Sequence, residues 1–465
     1  MRCATMAMAS PSRPTHMQLQ SPLFRLPREL RDQIYGHYLL CDTGLEYNFD
    51  KNKLTRADGE HIDLSLTYVC RQAAAELHGL ALRLNTVTFR TARPSESSNN
   101  LGLFCAALRK LHRNKNRLLD EIARSGLTDK SEAFISLVYP QFAPLLRAWR
   151  NDGPIMPVFH TNYGHGEPPS VYRDFVNFAL HVLKDSPHSS KSSGLPRLPH
   201  LEPWQYPDDE VLGEIVSIVF AGDSSVCIMG PDRCLVSAAS CAIRFLKSLP
   251  TSIRSELRQV DLIEDRESVA YPECHVRGLI PFCQKNEKLR IHRRVDLWWN
   301  LLWGFHGGIH MMCSSAVVNT VAEWMVEAMA LPLLGMPSRA FKITFEDSES
   351  APDQVCWIFD VLQRHVAWQV ALDLSFERQG LPTPTWNDRR LCAGADYDAL
   401  PQILQNISSH DSFIHYDALL RSTYDPARII DQFEGESVTE WQEYRRKHYA
   451  PSFIGFPKNK PLWCR

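Results

Sequence analysis

Strand-like and helix-like stretches alternate between residues 211 and 376, and this alternation constrains the fold more than any other feature of the chain. In each repeat, a short run rich in β-branched and aromatic residues precedes a longer stretch with helical spacing. The strand-like runs are GEIVSIVFAG, LRQVDLIED, LRIHRRVDLW and AFKITFED. Strands that alternate with helices in this way typically pair in parallel. The segment therefore predicts an α/β domain with a mostly parallel sheet.

The spacing between these strands is uneven, about 30 to 50 residues, which argues against a regular leucine-rich solenoid. Two architectures stay open: an irregular leucine-rich-repeat-like array and a small open sheet. Helices are predicted between the strands, over residues 232–249, 275–288, 314–330 and 352–366.

Changes in composition along the 465 residues divide the chain into predicted segments. The fold class expected for the whole chain is α+β. A Ser- and Pro-rich stretch is predicted to be a linker, because such residues do not build a regular element. The predicted segments are a disordered tail (1–20), a small helical module (21–92), a helical region (93–184), the linker (185–209), the α/β domain (210–376) and an irregular or helical C-terminal extension (377–465).

The charge balance and the cysteine content limit which partners and which cellular compartment we expect. The chain has 51 Lys and Arg against 53 Asp and Glu, so no global field attracts nucleic acid or an anionic membrane. Its 13 cysteines form no CxxC pair, which favours reduced thiols and an intracellular location in the cytoplasm or nucleus. The most apolar long stretch, residues 311–336, contains Asn319, Glu323 and Glu327 and is predicted to be a buried helix rather than a membrane span. We therefore expect neither a nucleic-acid nor a membrane partner.

An amphipathic helix is predicted near the N-terminus, in SPLFRLPRELRDQIYGHYLL (residues 21–40). Pro27 suits its first turn. Apolar side chains recur every fourth position, at Leu26, Leu30, Ile34 and Tyr38, with Tyr35 and Leu39 beside them. Charged side chains are expected on the remaining surface, at Arg28, Glu29, Arg31 and Asp32. The apolar face could pack against its own domain or against a partner.

A second helical stretch, LSLTYVCRQAAAEL, follows at residues 64–77, and the two together resemble the F-box and F-box-like modules of fungal proteins. The family pattern is LPxEL, an aliphatic helix, and then LxxVCRxxxxE. The matching residues are Leu26, Pro27, Glu29, Leu30, Ile34 and Tyr35 in the first half and Val69, Cys70, Arg71, Gln72 and Glu76 in the second. F-box helices dock on the Skp-type linker of a cullin ubiquitin ligase. The resemblance implies a partner-facing role for Leu26, Pro27, Leu30 and Ile34.

The connection between these helices, residues 41–62, is predicted to be a β-hairpin with Ala57-Asp58-Gly59 at its tip. The NTVTF run after the second helix is predicted to be a short strand.

No motif in the sequence assigns catalytic chemistry. The chain lacks GxxxxGK[ST], GxGxxG, GxSxG and HExxH. Two groups have the residue types but not the complete spacing of a zinc site: Cys274, His275 and Cys283, and His306, His310 and Cys313. Asp223 follows a predicted strand, where active sites of α/β sheets tend to lie. We predict no catalytic residue, cofactor or metal.

The leading hypothesis is a non-enzymatic protein-interaction protein, an F-box-like adaptor whose α/β domain recognises an unidentified client. One alternative is an enzyme with a pocket at the strand ends. Another is a scaffold in which the F-box-like fold only packs internally. The basic stretch at residues 285–294 is expected to be a solvated face.

Overall fold

The computed structural model describes most of the chain between residues 21 and 455. The described ranges are 21–94, 98–151, 165–184, 201–220, 234–302, 311–312, 314–346, 352–393, 397–409, 412–416, 424–433, 437–449 and 454–455. The predicted tail, most of the predicted linker, Asp223, and the group of His306, His310 and Cys313 lie outside these ranges.

Nine short strands are present in the described ranges. They are β1 (Leu45–Asn48), β2 (Lys53–Arg56), β3 (Thr86–Arg90), β4 (Gln259–Glu264), β5 (Arg290–Asp296), β6 (Met311–Met312), β7 (Phe341–Glu346), β8 (Ile414–Tyr416) and β9 (Ile454–Gly455). Seven of them form one open sheet in the order β2-β1-β3-β4-β5-β7-β8, and β6 pairs with β9. Within the seven-stranded sheet only the β1–β2 pair is antiparallel. The fold is thus mixed α and β with an open, mostly parallel sheet.

Eighteen α-helices are present in the described ranges. In the first half they are α1 (Pro22–Arg25), α2 (Arg28–Leu39), α3 (Arg71–Glu76), α4 (Leu80–Leu84), α5 (Ser98–Gly126), α6 (Asp129–Val138), α7 (Ala143–Asn151), α8 (Pro169–Leu183) and α9 (Asp209–Val219). In the second half they are α10 (Ala238–Ser248), α11 (Thr251–Arg254), α12 (Ile280–Lys285), α13 (Ser314–Ala330), α14 (Pro352–Arg378), α15 (Trp386–Cys392), α16 (Leu400–Ser408), α17 (Pro426–Gln432) and α18 (Val438–Tyr449). The 3-10 segments Ser65–Tyr68 and Pro272–Leu279 matter for the sites below.

One face of the sheet forms the main hydrophobic core. The strand register aligns Val87, Val260, Ile291 and Phe341 in a single row across β3, β4, β5 and β7. All four side chains are buried. Helices α10, α13 and α14 contribute to the same apolar cluster. Alternation along each strand places these residues on one face because successive side chains point to opposite sides.

The strands of the predicted N-terminal module belong to this sheet. β3 pairs with β4 over five residue pairs, starting from Thr86 with Gln259. At the opposite edge, β8 of the C-terminal region pairs with β7. The seven-stranded sheet therefore includes strands from the predicted N-terminal module, the predicted α/β domain and the predicted C-terminal extension.

The helices outside the main core pack around separate apolar clusters. One joins α5, α6, α7 and α8 and includes Leu146 and Phe175, which are fully buried. Another joins α14, α15, α17 and α18 around Trp441, which is also fully buried. The helical region predicted at residues 93–184 is helical in its described part.

The predictions for β4, β5, β7 and α13 are confirmed, but the strand prediction for GEIVSIVFAG is wrong. Residues 213–219 of that run lie in α9, which Asp208 caps by accepting a hydrogen bond from the Val211 amide at 2.9 Å. Leu212, Ile215 and Val219 are buried, at helical spacing. β-Branched residues lower helix propensity by only a few tenths of a kcal/mol, so packing and capping outweigh composition here.

The hairpin at residues 41–62 is present, but its tip is misplaced in the prediction. β1 and β2 are joined through residues 49–52, where Asn52 has a φ of 47° and accepts a hydrogen bond from Tyr47. Ala57-Asp58-Gly59 turns the chain after β2 instead, with Gly59 at a φ of 85°. Asparagine tolerates the left-handed region well enough to supply a turn without glycine.

Candidate functional site

The apolar face of α2 is divided between the interior and solvent. Tyr35 and Leu39 are buried, whereas Leu30 is 44% exposed and Ile34 is 41% exposed. Pro27 is exposed and Leu26 is half-buried. Of the four residues predicted to face a partner, three are therefore exposed and none is in the core.

Arg31 supplies part of the inward face of α2, contrary to the prediction that it lies on the outer surface. Its side chain is 8% exposed and donates two hydrogen bonds to the Glu76 carboxylate, at 2.9 and 2.7 Å. The same carboxylate accepts hydrogen bonds from the Tyr35 hydroxyl at 2.9 Å and the Gln72 amide at 3.1 Å. Bidentate pairing of this kind is strong and directional. It fixes α2 against α3.

The network perturbs the titration of its members. Hydrogen bonding from Arg31, with Gln72, Tyr35 and the Arg28 charge, lowers the pKa of Glu76 to about 2 against the opposing effect of burial. Burial and the Glu76 carboxylate raise the pKa of Tyr35 to about 12. Glu76 is therefore ionised and Tyr35 neutral at physiological pH.

Four motif residues thus have a structural role. Tyr35, Gln72 and Glu76 meet in one network, and Cys70 caps α3 by accepting a hydrogen bond from the Ala73 amide at 3.4 Å. The sequence motif alone does not reveal these contacts. The one available signal was that Arg31, Tyr35 and Leu39 share the four-residue spacing of a buried helix row.

The second half of the motif adds further exposed apolar side chains. Tyr68 is 83% exposed and Val69 is 68% exposed, at the end of the 3-10 turn. Leu66 of this turn and Tyr38 of α2 pack against the same small core. The 3-10 turn and α2 are therefore neighbours.

A polar cleft lies elsewhere, between α5, α8, the stretch before α9 and the 3-10 segment Pro272–Leu279. It is partly open to solvent. Its lining includes His112, Ser170, Arg173, Asn177, Cys274 and Arg277. No lining residue belongs to a strand, so the cleft is not the strand-end pocket of the enzyme alternative.

Three carboxylates lie behind this cleft. Glu327 accepts hydrogen bonds from the Ser170 amide at 2.6 Å and the Ser170 hydroxyl at 2.5 Å. Burial raises the pKa of Glu273 to about 7, with Arg173 opposing and Glu327 adding to the rise. Burial and the charge of Glu273 also raise the pKa of Glu323, which accepts a hydrogen bond from Tyr397 at 3.1 Å.

The candidate metal ligands that the structure describes are enclosed. Cys274 and Cys283 are buried, and burial raises the pKa of both thiols, which disfavours the nucleophilic thiolate. His275 has its Nε2 2.7 Å from the Ala270 carbonyl and its Nδ1 2.7 Å from Ser237 Oγ. Among the described residues, no group of three His, Cys, Asp or Glu side chains could hold a metal ion.

The basic stretch predicted to be a solvated face is split by the strand alternation of β5. Arg293 points into the core and donates hydrogen bonds to Glu264 at 3.1 and 2.7 Å. Arg294 points to the other face and pairs with Glu346. His292 is 2.8 Å from the Thr344 hydroxyl. This stretch does not present a single basic surface.

Comparisons with known proteins give no relative from which a role could be taken. No family model, no curated protein and no solved structure matches the chain. Within the described ranges, no helix is both long enough and apolar enough to cross a membrane.

Proposed function

We propose that the chain is a protein-interaction protein that docks a partner through Leu26, Pro27, Leu30 and Ile34 on and before α2. The observation that carries this proposal is the exposure of Leu30 and Ile34 on a helix whose inner face is already occupied by Arg31, Tyr35 and Leu39. These two apolar side chains are available to a second molecule.

Their burial in an interface would be favourable. A fully buried leucine or isoleucine side chain contributes about 1.5 to 3 kcal/mol relative to an exposed one. Single exposed apolar residues are ordinary on protein surfaces, but clusters mark interaction sites. Tyr68 and Val69 add two more exposed apolar side chains on the neighbouring turn. We include them in the docking surface.

The partner proposed is the Skp-type linker of a cullin ubiquitin ligase. The support is the motif resemblance together with the way the motif residues divide. Tyr35, Gln72 and Glu76 hold the two helices together, while Leu30, Ile34 and Val69 are exposed. That division suits a module whose inner residues maintain the fold and whose outer residues bind. In this proposal the α/β region recognises the client.

Co-purification of the tagged full chain tests the proposal, with the linker and the cullin detected by antibody. The variant Leu30→Asp/Ile34→Asp should lose both proteins while keeping the circular dichroism spectrum and Tm of the wild type. Val211→Asp/Ile218→Asp is the matched control, because these α9 side chains are 43% and 44% exposed. It should retain both proteins.

Two outcomes would contradict the proposal. One is recovery of neither linker nor cullin with the folded wild-type chain. The other is equal recovery with the wild type and with the Leu30/Ile34 variant. Loss of folding in that variant alone would favour the alternative in which the F-box-like fold only packs internally.

A further inference from the structure

Arg173 of α8 differs from the other enclosed arginines of the described ranges in its hydrogen bonding. Arg31, Arg277, Arg293 and Arg389 each form an ion pair with a carboxylate. The Arg173 guanidinium has one hydrogen bond, from Nη2 to the Cys274 sulfur at 3.3 Å, and no ion pair within 4 Å in these ranges. A thiol sulfur is a weak acceptor.

The position of this guanidinium is fixed by its neighbours. Its central carbon lies 4.6 Å from the centroid of the Tyr271 ring, a cation–π contact. Tyr271 in turn lies 5.4 Å from the His112 ring, centroid to centroid. Tyr271 and the preceding Ala270 both have positive φ values, 64° and 66°. Two consecutive non-glycine residues in this region store strain of the kind that clusters at binding sites.

Nearby carboxylates act on the guanidinium through their charge and not through an ion pair, since Glu327 and Glu273 help to raise the pKa of Arg173 against the opposing effect of burial. Glu327 is held by both polar groups of Ser170. Glu273 and Glu323 have raised pKa values because they are buried. Asp174, on the cleft wall, pairs with Arg277. Arg173 therefore lines the cleft without a carboxylate within 4 Å of its N–H groups in the described ranges, although Asp174 and Glu202 also belong to the lining.

Other groups around the cleft add donors. The Asn177 side-chain oxygen accepts a hydrogen bond from Lys115 Nζ at 2.9 Å, which leaves its amide NH₂ as a donor. Burial lowers the pKa of Lys115 to about 8, so this amine remains mostly charged at neutral pH. Lys115 therefore adds a positive charge beside Asn177.

We propose that this cleft binds a small oxyanion, with Arg173 as its main donor and Asn177 as a second. The planar guanidinium fork matches the two oxygens of a carboxylate and also accepts two oxygens of a phosphate. This site is separate from the docking residues of α2 and does not depend on the proposed ligase partner.

The test measures the thermal stability of the full chain in sodium chloride, sodium acetate and sodium phosphate at equal ionic strength. A ligand that binds only the folded state raises Tm with its concentration. Wild type should gain Tm in acetate or phosphate relative to chloride, and the anion with the larger gain identifies the preferred chemistry. Arg173→Gln should lose that gain, with apparent anion affinity reduced on the order of tenfold or more.

Arg83→Gln is the control, because Arg83 lies on α4 and pairs with Glu256 away from the cleft. It should keep the full gain, which separates site binding from the general stabilising effect of phosphate. A wild-type chain without an anion-specific gain, or an unchanged gain in Arg173→Gln, would overturn the proposal. If Arg173→Gln does not fold, Asn177→Ala decides in its place, and an undiminished gain in that variant overturns the proposal equally.

Discussion

Arg31 and Glu76 form a two-bond ion pair, with donor–acceptor distances of 2.9 and 2.7 Å, although 45 residues separate them in the chain. This pair determines which side of α2 faces inward. Once Arg31 is committed to Glu76, the side chains of Leu30 and Ile34 are left exposed. The ion pair therefore sets the orientation of the helix on which the proposed docking depends.

Replacing Glu76 with glutamine should destabilise the N-terminal region, because Arg31 and Tyr35 then lose their charged acceptor. The folded-state pKa of Glu76, about 2, is below its ordinary value of 4.5. The Glu76 carboxylate therefore adds to the free energy of unfolding above pH 4.5, and this stabilisation is lost as the pH falls from 4.5 toward 2. Urea unfolding at pH 7 and pH 3 should show a larger difference between wild type and Glu76→Gln at pH 7. Glu29→Gln, an exposed change on the same helix, should have little effect, and equal midpoints for all three proteins would refute the structural role.

His165 should make folding sensitive to mild acid. Within the described ranges, neither ring nitrogen has a hydrogen-bond partner, and the ring lies against Tyr172 and Trp386. Burial, with the charge of Arg390, lowers the pKa of His165 to about 4 from 6.5. The unfolded state then binds more protons between these values, so stability falls as the pH drops from 6.5 to 4, by up to about 3 kcal/mol.

His165→Phe should flatten this part of the pH–stability profile, since phenylalanine fills similar space without a titrating group. The measurement is the free energy of unfolding in urea between pH 4 and pH 7. His181→Phe, at an exposed position of α8, is the comparison variant. A profile as steep in His165→Phe as in wild type would show that His165 is not the responsible group.

Arg293 should be among the most sensitive positions of the sheet. It occupies a core row of β5 between Leu262 and Ile343, and its exposure is 1%. Its guanidinium binds Glu264, which also accepts a hydrogen bond from the Ala238 amide at the start of α10. Arg293→Met would leave the Glu264 carboxylate buried without its cation, at a cost of about 3 to 5 kcal/mol.

Adding Glu264→Gln to Arg293→Met should recover part of that loss, because it removes the uncompensated charge. Tryptophan fluorescence in urea follows both variants. A double variant less stable than the sum of the two single changes would contradict the assignment of the pair as mutually compensating.

Much of the sheet could be predicted from local patterns. β4, β5 and β7 show alternating or β-branched runs, and α13 has the predicted bounds, because in these elements local preference and final packing agree. In the α9 segment the two disagree, because its isoleucines and valines favour a strand by composition while their spacing and the Asp208 cap favour a helix.

The candidate sites could be predicted only in part. The exposed residues Leu30 and Ile34 belong to a helix that periodicity identifies, yet periodicity could not tell which part of the wide apolar face is buried. That choice depends on the Arg31 contact with a residue 45 positions away. Arg173 and Asn177 carry no sequence signal, because the cleft forms where helices distant in sequence meet.

Direct titration of purified Skp-type linker onto the purified full chain tests the central claim most directly, with Kd measured for wild type, Leu30→Asp/Ile34→Asp and Val211→Asp/Ile218→Asp. Docking through α2 predicts that the first variant loses at least about tenfold in affinity, since burial of two aliphatic side chains is lost and two charges must be desolvated. The control variant should bind as the wild type does. Equal Kd values for all three proteins, or no binding by the folded wild-type chain, would contradict the account.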